Sequence, residues 1–227
     1  MLRAIIFDFD GVIVDSEPLI MELTQQMAAR EGWTVSPGEY YRDYLALDDR
    51  GIVEHLYRSH GQPVDKARRD ELVHWKADAY LQAIGDGLPP VPGAIEFVRR
   101  AAARFPLAIA SGSLRREVEY LLGKLRLRAE FAVLSTADDC ERSKPHPCSY
   151  LTALGGLQEL ACFRDAPLQA RECLAIEDAP AGVEAAHIAG MKCLALAHSR
   201  PPAELRHAEW VFVSFAEAQL AAIEEEF

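Results

Sequence analysis

The sequence has no excess of positive charge, no paired cysteine motif and no long apolar run. Its 227 residues include 24 Lys and Arg against 35 Asp and Glu, so the formal net charge is −11. An acidic surface gives no support for binding nucleic acid phosphates or an anionic membrane. We therefore expect neither as a partner, and an anionic substrate would need local positive charge from Lys, Arg or a metal.

Membrane and secretion signals are also missing. No apolar run approaches the length of a membrane span, and the first residues lead directly into a charged and then apolar strand, so we expect no signal peptide. The cysteines are odd in number and form no Cys-x-x-Cys pair: Cys140, Cys148, Cys162, Cys173 and Cys193. We interpret them as reduced thiols of a cytoplasmic protein, with Cys173 and Cys193 in the core.

The most informative stretch lies near the N-terminus. The apolar run Ala4–Phe7 predicts a buried strand, and Asp8, Asp10 and Gly11 follow it. Side chains of an extended chain alternate, so both carboxylates start on the same side. Because their repulsion and desolvation are unfavourable, a cation or a chemical role is the usual reason for such a pair.

An all-helical insertion follows this strand. Apolar residues recur at helical spacing, and no strand pattern interrupts positions 18–84. The predicted helices are Pro18–Gly32, Pro37–Leu47, one through Ile52–Tyr57 that ends at Gly61, and about Val64–Ile84. A Gly- and Pro-rich segment, 85–93, then returns the chain to the core. We place the helical domain at 16–87 and the core domain at 1–15 and 88–227.

From residue 93 onward, strands alternate with helices. The predicted strands are Pro106–Ala110, Phe131–Leu134, Glu172–Ile176, Lys192–Leu196 and Trp210–Val213, and the predicted helices are Gly93–Arg104, Leu114–Leu125, Cys148–Leu154, Ala181–Gly190 and Phe215–Glu226. We interpret the weakly patterned segment 155–171 as a surface excursion. The alternation predicts an α/β fold, a doubly wound parallel sheet of the Rossmann-like kind.

Polar residues follow four of the predicted strands. They are Asp8, the run Ser111-Gly112-Ser113, Lys144 in its loop, and the pair Glu177-Asp178. In a parallel sheet these positions open onto one edge, where ligands bind. Carboxylates suit Mg²⁺, while Ser111 and the Gly112 amide suit phosphate oxygens and Lys144 suits a transferring phosphoryl group. The pattern therefore indicates phosphoryl transfer, in which a carboxylate can itself attack phosphorus.

In these motifs the chain resembles the haloacid dehalogenase superfamily, in the branch with a small helical cap that holds β-phosphoglucomutase-like and phosphoglycolate-phosphatase-like proteins. The matching motifs are Asp8-Phe-Asp10-Gly11, Ser111 in Ala-Ser-Gly-Ser, Lys144 in Ser-Lys-Pro-His-Pro, and Glu177-Asp178 followed by Gly182. Four motifs in the right order make the resemblance specific, and it extends over nearly the whole chain.

The resemblance implies a role for each motif residue. Asp8 is the implied nucleophile and a Mg²⁺ ligand. Asp10 is the implied general acid and base, and its carbonyl binds Mg²⁺. Lys144 stabilises the nucleophile and the phosphoryl group, and Asp178 binds Mg²⁺ with support from Glu177. Ser111, Gly112 and Ser113 are the expected phosphate-binding residues of the core.

Several positions depart from the family pattern. Ala179 replaces the usual Ser or Thr, Ser143 a common Gly, and Cys148 a frequent Asp or Glu. In the cap, Arg50 and Lys76 lie where relatives with bulky substrates often carry cations, so we include them as substrate-binding candidates.

We expect a monomeric, Mg²⁺-dependent phosphatase acting on a small phosphorylated metabolite such as a sugar phosphate. The alternative is a phosphosugar mutase of the β-phosphoglucomutase type. Ile20 favours hydrolysis, because mutases tend to have a histidine near that position. Arg50 and Lys76 are the residues that leave the mutase as an alternative. A non-catalytic binding protein on the same fold is the third possibility. Asp10 and the acidic pair at 177–178 argue against a dehalogenase.

Overall fold

The computed structural model describes residues 1–45, 47 and 49–227, without the side chain of residue 86. The chain forms two compact units. One contains Met1–Asp15 and Pro89–Phe227, and the other contains Ser16–Leu88.

The first unit is built on a parallel sheet. Six strands of the described chain pair in the order β3-β2-β1-β4-β5-β6. All four side chains of β1 are fully buried, as expected for an apolar strand in the middle of a sheet covered on both faces. The strands are β1 (Ala4–Phe7), β2 (Leu107–Ala110), β3 (Phe131–Ser135), β4 (Cys173–Glu177), β5 (Lys192–Leu196) and β6 (Trp210–Phe212).

An α-helix precedes β2, lies between each pair of strands from β2 to β5, and follows β6, while a 3₁₀ turn at Pro202–Leu205 lies between β5 and β6. Numbered in chain order after the four helices of the other unit, the core helices are α5 (Ala94–Ala102), α6 (Arg115–Lys124), α7 (Cys148–Gln158), α8 (Pro180–Ile188) and α9 (Leu220–Glu225). The predicted α/β fold with a doubly wound parallel sheet is confirmed. Because every strand runs in the same direction, all carboxyl ends lie on one edge of the sheet.

Two predicted core elements were wrong in extent. Helix α7 continues to Gln158 through Gly155 and Gly156. Gly156 packs closely against β3, where a Cβ atom would lie 2.6 Å from Val133, so the glycine allows the helix and the strand to approach each other. The supposed surface excursion 155–171 also contains the buried Phe163 and Leu168. The last helix begins at Leu220 and not at Phe215, whose ring instead packs against Phe97 with centroids 4.7 Å apart.

The second unit is all-helical, as predicted. It contains α1 (Glu17–Arg30), the single turn α2 (Pro37–Glu39), α3 (Asp49–Ser59) and α4 (Lys66–Ala83). The predicted helix Pro37–Leu47 is observed as α2 followed by a π-helical turn at Tyr40–Tyr44, and its residue 46 lies outside the described residues. An apolar cluster that includes Met27, Ile52 and Leu56 holds these helices together. None of the helices in the described part of the chain is long and apolar enough to cross a membrane.

The cysteine prediction was wrong for one pair. Cys140 and Cys148 form a disulfide, because the loop before α7 folds back and brings their Cα atoms to 5.9 Å. One sequence argument for a cytoplasmic location therefore no longer applies. Cys173 and Cys193 are buried free thiols, as predicted, and Cys162 is an exposed one.

Candidate active site

The predicted polar residues meet at the carboxyl edge of the sheet. Asp8 directly follows β1, and its backbone N–H donates to the carbonyl of Ile176 at 2.8 Å. Ser111 directly follows β2, and Glu177 is the last residue of β4. The parallel register therefore brings residues that are far apart in sequence to one place.

Lys144 lies between two of the carboxylates. Its Nζ atom is 2.6 Å from Asp8 Oδ1 and 2.6 Å from Glu177 Oε1. Glu177 Oε1 also accepts a hydrogen bond of 2.7 Å from the hydroxyl of Tyr150, and Glu177 Oε2 accepts one of 3.1 Å from the N–H of Asp178. The structure thus links the first, third and fourth motifs through the lysine ammonium group.

Three acidic side chains offer a site for a cation. Asp8, Glu177 and Asp178 are buried, and one oxygen atom of each lies within 4.8 Å of the others. Oxygen ligands of this kind suit Mg²⁺. Gly11 closes one side of this group: its φ is +73°, and a Cβ atom there would lie 2.1 Å from Asp178 Oδ2. A glycine is therefore required for both the turn and the close approach.

The carboxylate of Asp10 is not part of this acidic group. Its Oδ2 atom accepts a hydrogen bond from the hydroxyl of Ser113. Its Oδ1 atom is buried and has no hydrogen-bond partner among the described residues. The Asp10 side chain is therefore held by Ser113, outside the group of three carboxylates. Ser113, an expected phosphate-binding residue, contacts Asp10 in this structure.

Burial and neighbouring charges shift the pKa values of three side chains in the site. Burial raises the pKa of Asp8 to about 7, and the negative charges of Glu177 and Asp10 add to this effect while Lys144 opposes it. Burial alone would lower the pKa of Lys144, but the charges of Asp8 and Glu177 outweigh it and raise the pKa, so the ammonium form persists. Burial also raises the pKa of Tyr150 well above its ordinary value, which keeps its hydroxyl a hydrogen-bond donor.

The second motif lies beside a small cavity of about 40 Å³. Ser111 is buried, and its Oγ atom accepts a 2.9 Å hydrogen bond from the N–H of Ser113. The cavity is lined by Ser111, Gly112, Ala137, Cys140, Arg142, Ser143, Lys144 and Ser149. Hydroxyl, amide and ammonium groups in one small cavity can bind the oxygens of an anion.

Two other predicted residues, Arg50 and Lys76, lie in the helical unit. Arg50 is exposed on α3. Lys76 is buried on α4 and forms an ion pair with Asp49. The ion pair gives the buried ammonium a stable place within that unit.

Sequence reasoning missed Tyr150, His198 and Ser199. The His198 Nε2–H donates to the carbonyl oxygen of Gly11 at 2.6 Å, and the Ser199 hydroxyl lies 3.4 Å from Asp178 Oδ2. His198 and Ser199 come shortly after β5. They could have been found by including the residues after β5 with those that follow the other four strands. Tyr150 gave no such signal, because it lies within a helix.

The departures from the family pattern have local consequences. Ala179 precedes α8 without a side-chain cap, so the hydroxyl expected there is absent, and Ser199 supplies one to Asp178 from the segment after β5. Cys148 is joined to Cys140, and its side chain is therefore not available as a substitute for an acidic residue.

Comparison with known proteins identifies the family. Residues 2–190 match the haloacid dehalogenase-like hydrolases, and the chain belongs to this family of enzymes. It is 29% identical over 199 residues to the fructose-1-phosphate phosphatase YqaB of Escherichia coli (strain K12), which covers 82% of this chain and 92% of that protein. It is also 29% identical over 194 residues to hexitol phosphatase B of the same organism, with 85% and 82% covered.

A solved structure supports the fold. The crystal structure of β-phosphoglucomutase from Clostridium difficile superposes with a TM-score of 0.84 at 21% identity, covering 100% of this chain and 97% of that one. The predicted resemblance to helical-cap members of the family is confirmed.

Proposed function

We propose that this protein is a Mg²⁺-dependent phosphatase that hydrolyses a small phosphorylated metabolite through an aspartyl-phosphate on Asp8. The observation that carries the proposal is the position of Lys144 Nζ, 2.6 Å from both Asp8 and Glu177 at the end of the sheet. An ammonium group there can balance charge on a phosphoryl group attached to Asp8. The sugar-phosphate phosphatases among the relatives support a sugar phosphate or a similar monoester as substrate.

The proposed reaction has two steps. In the first, an oxygen of Asp8 forms a bond to phosphorus while the ester P–O bond breaks, and Asp10 gives its proton to the leaving alcohol. In the second, Asp10 takes a proton from water as the water oxygen attacks phosphorus. The bond to Asp8 then breaks, and inorganic phosphate leaves. Ser111 and the amide of Gly112 bind phosphate oxygens in both steps.

The acidic group fits the proposed metal. Three buried carboxylates with oxygens within 4.8 Å provide the hard ligands that Mg²⁺ prefers, and Lys144 contributes one positive charge against them. Asp8 and Asp178 would hold the ion, with Glu177 supporting and the Asp10 backbone carbonyl contributing. When bound, Mg²⁺ would neutralise negative charge on the substrate phosphate.

The test is phosphate release from a panel of phosphorylated metabolites with and without Mg²⁺. Wild type is compared with Asp8→Asn, which keeps the side chain's shape but removes its charge. Asp165→Asn is the matched control, because Asp165 is exposed on the surface. We expect release that requires both Mg²⁺ and Asp8 and is unchanged in the control. No release from any ester by wild type would refute a phosphatase.

The mutase alternative rests on two cations of the helical unit, Arg50, which is exposed, and Lys76, which is paired with Asp49. A phosphosugar mutase would pass the phosphoryl group between Asp8 and two positions of a bound sugar bisphosphate. Isomerisation that depends on a bisphosphate, with slow phosphate release, would favour the mutase over the phosphatase. Ligand binding without any turnover would instead indicate a binding protein.

A further inference from the structure

Tyr150 is a fully buried residue on α7 that touches two residues of the candidate site. Its hydroxyl donates to Glu177 Oε1 at 2.7 Å, and Lys144 Nζ lies 5.1 Å from the centroid of its ring. We propose that Tyr150 is a positioning residue that fixes Glu177 and, through it, holds Lys144 against Asp8. This inference rests on the phosphatase function proposed above, in which Lys144 acts on the phosphoryl group.

The carboxylate of Glu177 has hydrogen bonds at both of its oxygens and a close backbone neighbour. Oε1 accepts hydrogen bonds from Tyr150 and Lys144, and Oε2 accepts one from the N–H of Asp178. Gly182 on α8 presses against the same group, since a Cβ atom there would lie 2.0 Å from its Cδ and Oε1. Within this enclosure, the Tyr150 hydroxyl is the contact that comes from outside the four sequence motifs.

Lys144 depends on these side-chain contacts for its position. It lies in the loop between β3 and α7, and the three residues before it, 141–143, are exposed. Its ammonium group therefore has little support from its own loop and is held by Asp8, Glu177 and the ring of Tyr150. When Asp8 carries the phosphoryl group, it no longer offers a free carboxylate, so Glu177 is the carboxylate that keeps Lys144 in place beside the phosphoryl group.

This order of events predicts how a change at Tyr150 affects the kinetics. Loss of the hydroxyl removes one hydrogen bond to a charged group, which corresponds to roughly a tenfold effect. The loss falls mainly on kcat, because the anchor matters most once the phosphoryl group is on Asp8. KM should change less than about twofold, since Ser111 and Gly112 are not in contact with the tyrosine hydroxyl.

The experiment compares wild type, Tyr150→Phe and Tyr120→Phe. Phenylalanine keeps the ring beneath Lys144 and removes only the hydroxyl, and Tyr120 is a partly exposed tyrosine on α6 that serves as the matched control. We expect Tyr150→Phe to lower kcat about tenfold with KM almost unchanged, and the control to match wild type. Equal kcat in wild type and Tyr150→Phe would overturn the inference, whereas inactive wild type would overturn the phosphatase function.

A double-mutant cycle with Glu177→Gln separates positioning from general destabilisation. If Tyr150 acts through Glu177, then adding Tyr150→Phe to Glu177→Gln should lower kcat by much less than tenfold. A full additional loss in the double variant would refute the proposed route. A crystal structure of Tyr150→Phe provides an independent check: displacement of Lys144 Nζ from Asp8 supports the inference, and an unchanged lysine contradicts it.

Discussion

Asp8 should release a proton when the site binds Mg²⁺, and the metal affinity should therefore depend on pH. Burial raises the pKa of Asp8 from 3.8 to about 7 in the metal-free protein. Below pH 7 the carboxyl group is mostly protonated, and the metal must displace that proton. The apparent affinity should thus fall about 50-fold between pH 7, where about half of Asp8 is protonated, and pH 5, where nearly all of it is. An aspartate with the ordinary pKa of 3.8 would give almost no change in Mg²⁺ affinity between pH 5 and pH 7.

Titration calorimetry with Mg²⁺, in buffers of different ionisation enthalpy, measures both the affinity and the protons released. We expect about 0.9 proton released for each ion bound at pH 6 and about 0.1 at pH 8, from the fraction of Asp8 that is protonated. Asp8→Asn is the control, because it has no proton to release in this range. An affinity that is constant between pH 5 and pH 8, without proton release, would refute the role of a protonated Asp8.

Three further predictions concern packing and the disulfide. Gly182→Ala should lower the free energy of unfolding by about 2 kcal/mol, because its Cβ atom would overlap the carboxylate of Glu177. Urea unfolding measures this loss, and Gly155→Ala, where a Cβ atom meets nothing within 4 Å, should instead be neutral or stabilising. Replacing Cys140 and Cys148 by serine should lower the free energy of unfolding by about 2.5 kcal/mol. The loss corresponds to the entropy that a disulfide across eight residues removes from the unfolded chain. Reducing agent should destabilise wild type by a similar amount but leave the double variant unaffected, and equal unfolding midpoints with and without reductant would contradict this.

The sequence could predict the fold and most of the edge of the sheet because the signals were local. Apolar runs marked the strands, and the residues directly after them supplied Asp8, Ser111 and Glu177. Parallel strands then require those residues to share an edge, so no long-range information was needed. Lys144 was identified by its motif, although it lies in a loop several residues beyond β3.

Of the residues that were missed, Tyr150 is connected to the site only through tertiary contacts. Its partner Glu177 is 27 residues away, and no strand end marks its position. The partner of His198 is 187 residues away, so the end of β5 is the signal that could have indicated this histidine. The helix α7 was predicted to end early because the segment after Leu154 is weakly patterned, whereas the structure continues it through two glycines, one of which packs closely against β3. The disulfide between Cys140 and Cys148 depends on the path of a loop, which spacing alone does not determine.

The central position of β1 has a consequence for how the molecule assembles. Ile5 pairs with Leu107 on one side and with Leu174 on the other, so β1 has both of its neighbours only after β4 has been made. Closure of such long loops is slow and entropically costly. Asp8, the proposed nucleophile, is thus made before the strands that surround it, and catalytic competence should mark completion of folding.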